Sequence, residues 1–347
     1  MSENITALHW KIKEHALFDF PDGLTILRHP YYGHHMKTLK PRALKHGDVI
    51  GLISPASKIA DTTRLDRGIR YLEGLGYRVL IGAHATQLHG YLAGTDQERV
   101  ADIHAMFQNP AVKAIFCIRG GYGTPRLLPL LHYRTFARNP KIFVGYSDIT
   151  ALHLSIWKKS GLLTFHGPMV GPDMADPMDP FTEEMFWRLL TSKHKVGLVN
   201  LPDNRPDLLV EGKASGHLLG GNLALVASLI GTSFQPRFDG SILYLEDIGE
   251  DPYRVDRMLT QLRGASVLAG SKGILIGHFT DCVPKDPTTP YFSVDEVIRE
   301  YVLASGHPAL TRVPFGHQRR NLSIPVGLRA KIDAGKGSIE YLEAAVH

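Results

Sequence analysis

The stretch Lys141-Ile-Phe-Val-Gly-Tyr-Ser-Asp-Ile-Thr150 decides how this chain is read. Lys141 to Val144 reads as a short buried strand and Gly145-Tyr146 as a turn. Asp148 to Lys158 reads as a helix, with apolar residues at Ile149, Leu152, Ile156 and Trp157. Ser147 stands at the apex. A serine on a tight strand-to-helix turn is how an α/β protein lifts a nucleophilic hydroxyl out of its sheet. It is equally how a helix obtains an N-cap, and on the turn alone the two readings stand level. Ile149 occupies the place where a second glycine usually follows such a nucleophile.

The same strand-and-helix alternation extends on both sides of this turn. Val49 to Ile53, Tyr77 to Ile81 and Ala114 to Ile118 read as strands. Thr62 to Leu75 reads as a helix with Leu65, Ile69, Leu72 and Leu75 at helical spacing, stopped by Gly76. Thr95 and Glu98 form a capping-box pattern ahead of a helix to Phe107, and Pro125 to Leu131 reads as a short helix. Strands separated by helices imply a mainly parallel sheet covered on both faces. Ligands of such sheets sit beyond the carboxyl ends of the strands. Ser54, Arg119 to Gly123 and Ser147 all follow strand ends, so they are expected on one rim. Pro172 to Pro180 breaks the rhythm, and the polar run Asn200 to Pro206 reads as a domain boundary. Beyond it, Gly216 to Asn222 leads into an apolar helix through Leu229. Ser241 to Leu245 and Gly273 to Gly277 read as strands, Pro252 to Arg263 and Ser293 to Ala304 as helices, and Arg329 to Ala344 as a hairpin. The expected organisation is an extension over 1–39, an α/β domain over 40–200 carrying the nucleophile, and a second α/β domain over 207–347.

The 347 residues suffice for two domains with separate cores. Apolar content of 44% and charged content of 21% are those of a soluble globular chain. A net charge of +5 without a dense Lys/Arg block does not make a nucleic-acid footprint. Two cysteines, Cys117 and Cys282, form neither a disulfide framework nor a metal spacing and read as buried thiols in a reducing compartment. Met1 to Trp10 has no basic region followed by an apolar core, and no apolar run nears the ~20 residues of a membrane span. These features predict a cytoplasmic protein.

A serine hydroxyl needs a base, usually a histidine oriented by a carboxylate. With 18 histidines, context must choose. His317 lies in Pro314-Phe-Gly-His-Gln318, a loop just after the strand-like Leu310 to Val313. Glu246 and Asp247 follow the strand Ser241 to Leu245, and a desolvated acid there needs a cationic partner or a backbone to brace. The choice between the two acids stays open on this ground. Arg119-Gly-Gly-Tyr-Gly123 either offers backbone N–H groups to an oxyanion or makes a plain tight turn. It has neither the Lys-Ser/Thr of a phosphate loop nor the spacing of a dinucleotide fingerprint, which disfavours a nucleotide-dependent oxidoreductase.

Seven segments in order resemble the LD-carboxypeptidase family of serine peptidases, which includes the microcin-immunity peptidases. They are Gly47 to Ser57, Arg119 to Gly123, Gly145-Tyr-Ser-Asp148, Phe165-His-Gly-Pro168, Gly220-Gly-Asn222, Leu245-Glu-Asp247 and Pro314-Phe-Gly-His317. The resemblance covers roughly residues 40 to 335. It implies a flavodoxin-like or Rossmann-like N-terminal domain, a smaller C-terminal α/β domain, and a site in the cleft between them. It implies Ser147 as nucleophile, Glu246 as orienting acid and His317 as general base. It implies an oxyanion hole from the backbone of Gly121 and Asp148, with Arg119, Gly120 and Tyr122 meeting substrate. No metal or cofactor is implied, and a homodimer is. The implied reaction releases a terminal D-amino acid from a murein tetrapeptide. The alternatives are cleavage of an amide in a peptide–nucleotide conjugate and, from another class, a non-catalytic small-molecule binding protein.

Overall fold

The computed structural model describes residues 37–201, 206–286 and 288–347. The expected extension over 1–39 lies almost wholly outside the described residues. The first sheet contains β1 (Val49–Ile53), β2 (Arg78–Ile81), β3 (Val112–Cys117), β4 (Ile142–Gly145) and β5 (Thr164–His166). These five strands run parallel in the order β5-β4-β3-β1-β2. β1 is buried along its whole length and β3 nearly so, as strands covered on both faces must be. The order is flavodoxin-like, and its switch point falls between β1 and β3, where such sheets open a crevice beyond the strand ends.

The connecting helices follow from local sequence. Thr95 accepts the Glu98 N–H while the Glu98 carboxylate accepts the Thr95 N–H at 2.7 Å, so the capping box forms as the pattern predicts. The helix Thr62–Gly74 gives way to Gly76 at φ 81. The helix expected over Pro125 to Leu131 is a tight 3₁₀ segment, Thr124–Leu130, with Pro129 inside it.

The second sheet contains β6 (Gly197–Leu198), β7 (Asp207–Val210), β8 (Lys213–Asn222), β9 (Ile242–Ile248), β10 (Gly273–Thr280) and β11 (Ala309–Thr311). Beyond β12 (Ile324–Val326), it adds β13 (Arg329–Asp333) and β14 (Ser338–Tyr341). β8 to β11 run parallel at the centre, and β7, β13, β14 and β6 are antiparallel additions at the two sides. The ten-residue strand β8 runs through Gly216 to Asn222, a segment that reads only as a lead-in to the helix Leu223–Leu229. Its glycines hide it: they carry no side-chain alternation, yet Gly220 and Gly221 sit at φ 149 and 134 where the strand meets β9 and Thr150.

The chain crosses between the sheets more than once. β12 pairs antiparallel with β5 and so completes the edge of the first sheet, while β6 belongs to the second. The helix Thr150–Ser160, buried on nearly every face, lies against β8 and the helix Leu223–Leu229. One continuous apolar core results, and it fixes the ends of β4, β9 and β11 beside one another.

Candidate active site

Ser147 follows β4 by one extended residue, Tyr146, and adopts φ 63. A β-substituted residue in this left-handed region costs on the order of 1–3 kcal/mol, so the surroundings must hold it. Asp148 is the clamp. Its buried carboxylate accepts the Thr124 N–H at 2.8 Å, and the Thr124 hydroxyl donates back to the Asp148 carbonyl. Burial pushes the Asp148 carboxyl above its usual range, against these hydrogen bonds. The turn is thereby tied to the loop after β3. Ser147 is not the helix cap: Ile149 precedes the helix Thr150–Ser160, and no side chain caps it. The space a second glycine would make is made earlier, by Gly145. A Cβ there would stand 2.9 Å from Ile149 Cγ1 and 3.2 Å from Cys117 Cβ.

Glu246 comes from β9 and His317 from the loop after β11, 71 residues apart in sequence. Glu246 is fully buried, and its Oε2 accepts from His317 Nδ1 at 2.8 Å. The bonds that fix the loop include His278 N–H to the Phe315 carbonyl, Gly316 N–H to Asn321 Oδ1, and the Thr280 hydroxyl to the His317 carbonyl. Gly316 sits at φ 110, and a Cβ on it would come within 2.9 Å of both Glu246 Cβ and Oε2. Only glycine admits this approach. Burial pulls the His317 imidazole down, but its hydrogen bond and charge pairing with Glu246 outweigh that and leave it above the ordinary histidine value.

Asp247 does something else. Its oxygens accept from Asn222 Nδ2 (2.8 Å), Ile248 N–H (2.8 Å) and Ala224 N–H (3.0 Å), at the start of the helix Leu223–Leu229. Burial, and then the Glu246 charge, push it up to about 7. Of the two adjacent acids, Glu246 is the one that meets the imidazole, because alternate residues of a strand point to opposite faces.

Ser147 and His317 line one cavity of about 300 Å³, together with Arg64, Arg119, Gly120 and Gly121. Among the described residues the serine hydroxyl makes no direct hydrogen bond to the imidazole. Such contacts are commonly loose in ligand-free enzymes. The Tyr146 ring packs edge-on against the His317 ring, with centroids 5.0 Å apart, so the residue before the serine braces the imidazole. The loop after β3 is held by Ser57: its N–H donates to the Gly120 carbonyl at 3.3 Å and its Oγ accepts the Tyr122 N–H at 3.1 Å. The Tyr122 side chain lies outside this cavity lining. It is exposed and meets the ring of Tyr91 edge-on at 5.4 Å. Asp148 contributes its backbone at the turn and its carboxylate to the Thr124 clamp.

A second cavity of about 570 Å³ shares Tyr146, Pro172 and His317 with the first and adds Asp173, Asp176 and Asp179. Asp173 accepts the Met169 N–H at 2.8 Å and the Tyr146 hydroxyl at 3.3 Å, and burial pushes it up to about 6. The proline-rich loop that interrupts the α/β rhythm is therefore a wall of the site. Its position after a strand of the parallel sheet was the available signal. Arg64, on the helix after β1, carried no such signal. Among the described residues no group of three His, Cys, Asp or Glu side chains is placed to hold a metal ion.

Residues 50–167 match the LD-carboxypeptidase N-terminal domain and residues 215–332 match the LD-carboxypeptidase C-terminal domain. The chain is 40% identical over 308 residues to a probable murein peptide carboxypeptidase of Bacillus subtilis, covering 88% of this chain and 95% of that protein. The crystal structure of muramoyltetrapeptide carboxypeptidase from Oxalobacter formigenes superposes with a TM-score of 0.73 at 33% identity, covering 84% of this chain and 97% of that one. The wild-type apo structure of the microcin C7 self-immunity protein superposes with a TM-score of 0.82 at 27% identity, covering 89% and 100%. The strained serine turn, the buried acid on an imidazole and the two matched domains place this chain in the LD-carboxypeptidase family of serine peptidases.

Proposed function

We propose that this protein is a cytoplasmic, homodimeric serine carboxypeptidase that releases the terminal D-amino acid of a murein tetrapeptide during cell-wall recycling. The observation that carries the reading is the cavity shared by Ser147 and His317, with the buried Glu246 carboxylate on the far ring nitrogen. Similarity to carboxypeptidases of murein peptides supplies the substrate class. In this reading the segment 40–200 supplies the nucleophile and the segment 207–347 supplies the acid and base. His317 Nε2 takes the Ser147 proton as Oγ attacks the scissile carbonyl. Glu246 holds the Nδ1 proton and stabilises the imidazolium. Backbone N–H groups of Gly121 and Asp148 receive the oxyanion, and Arg119 and Gly120 border the substrate. The imidazolium protonates the leaving amine, the C–N bond breaks, and an acyl-Ser147 ester remains. Water, deprotonated by His317, then releases the shortened peptide.

Mass spectrometry of murein tetrapeptide incubated with the protein tests this. Tripeptide plus free D-alanine from the wild type, and none from Ser147→Ala, is expected. Intact tetrapeptide with the wild type would remove the reading. The structural likeness to the microcin C7 self-immunity protein favours a second reading, hydrolysis of an amide in a peptide–nucleotide conjugate. Offering both substrates to one preparation ranks the two by kcat/KM.

A further inference from the structure

The cavity beside Ser147 is lined by three charged side chains other than His317, and of its two cations one lacks a countercharge among the described residues. Asp61 caps the helix Thr62–Gly74, where its Oδ1 accepts from the Thr63 N–H at 2.9 Å and the Thr63 hydroxyl at 2.7 Å. Arg64 donates to the carbonyls of Gly171 and Pro172 and meets Asp176 at 2.9 Å. Arg119 is half-buried. Its guanidinium makes one hydrogen bond, from one terminal nitrogen to the Lys58 carbonyl at 3.2 Å, and among the described residues no carboxylate pairs with it. Removing such a charge from water without a partner is costly. The guanidinium fork matches a carboxylate two oxygens at a time. The next two residues, Gly120 and Gly121, line the same cavity and link the two groups: a Cβ on Gly120 would stand 3.3 Å from Ser147 Oγ, and one on Gly121 3.4 Å from Arg119 Nη2.

We infer that Arg119 binds the free carboxylate of the substrate's terminal residue and thereby makes this enzyme a carboxypeptidase rather than an endopeptidase. The inference rests on the carboxypeptidase reading above and adds to it the residue that selects chain ends. The carboxylate belongs to the leaving amino acid and is unchanged by hydrolysis, so Arg119 sits on the leaving-group side of Ser147. An amide at the chain end keeps the shape but loses the charge.

The test compares murein tetrapeptide with the same peptide carrying a terminal D-alaninamide, using the full chain and its R119K and R119M variants. The wild type is expected to prefer the acid by about 10- to 100-fold in kcat/KM, the range of one charge-assisted contact. R119M should lose that preference, with the rate on the acid falling by this factor more than the rate on the amide. R119K, which keeps the charge without the fork, should fall between. If R119M does not fold, R119K carries the same readout, since its amide rate reports an intact site. An acid-to-amide ratio unchanged in the variants, or equal loss on both substrates, overturns the inference while the carboxypeptidase reading stands. A wild type that cleaves neither peptide removes the reading, and the inference with it.

Discussion

The two halves of the site hold their reactive groups by opposite means. The turn after β4 keeps Ser147 in place through backbone strain, with φ 63 imposed by the Asp148–Thr124 clamp and the room left by Gly145. The β9 strand and the loop after β11 hold Glu246 and His317 by mutual side-chain attraction, with the carboxylate fully buried. In the first half function opposes stability, since the chain would relax if the serine were removed. In the second half function and stability coincide, since each partner satisfies the other. Substitutions at the two places should therefore affect activity alike and stability in opposite directions.

The largest effect expected is on turnover. Ser147→Ala and Ser147→Gly should each lower kcat by on the order of 10³-fold or more. Their stabilities separate the causes of that loss. Glycine accepts the left-handed backbone that alanine does not, so Ser147→Gly should be more stable than Ser147→Ala by about 1 kcal/mol in urea unfolding. Equal stabilities would mean that the turn carries no strain.

His317→Ala should abolish turnover as thoroughly and also destabilise the fold by about 3 kcal/mol, because it leaves the fully buried Glu246 carboxylate unpaired. Glu246→Gln tests the same pair through pH. A base works only when deprotonated, and the His317 pKa is raised, so the acidic limb of kcat/KM should lie above the ~6.5 of an ordinary histidine. With glutamine the principal raising partner is gone, leaving the lesser charges of Asp247 and Asp173, while burial still pulls the imidazole down. The limb should then move to lower pH as kcat falls. A limb that stays in place would detach Glu246 from the base.

A third expectation concerns packing. Gly316→Ala places a methyl group 2.9 Å from Glu246 Cβ and Oε2 on a backbone at φ 110. Loss of about 2–3 kcal/mol in thermal or urea unfolding is expected, with kcat falling as the Glu246–His317 contact is forced apart. Wild-type stability in this variant would show that the loop after β11 is softer than its hydrogen bonds suggest.

The same contrast explains what was legible in the sequence. The serine turn, the capping box at Thr95 and the strand-end loops are local, written within ten residues and governed by turn chemistry. The choice between Glu246 and Asp247 was not local. It depends on which face of β9 each residue occupies and on what lies opposite, and β8, the neighbour that takes Asp247, was disguised by its glycines. The wall formed by Pro172 to Asp179 was visible as an interruption without a role, because its role comes from the space it encloses. The family resemblance bridged this gap by naming residues that periodicity alone could not bring together.

The smallest effect reaches the least legible region. Behind the Glu246–His317 pair lies a buried polar cluster that no sequence pattern announces. Tyr244 is two residues before Glu246 on β9 and so shares its face, with its ring edge-on to His166 at 5.6 Å. The Tyr244 hydroxyl, both His166 ring nitrogens and Glu246 Oε1 have no partner among the described residues, although all are buried. Burial accordingly drives the His166 pKa well below the ordinary value, so that ring is neutral. An unsatisfied buried hydroxyl costs about 1–3 kcal/mol. If the cluster only fills space, Tyr244→Phe should raise the unfolding free energy by up to that amount and leave kcat unchanged. If instead the hydroxyl reaches Glu246 Oε1 through an internal water, the same variant should lose stability and shift the acidic limb of the pH profile. The sign of one stability change, read beside one pH profile, thus decides whether the second half of the site extends a layer deeper than the imidazole and its acid.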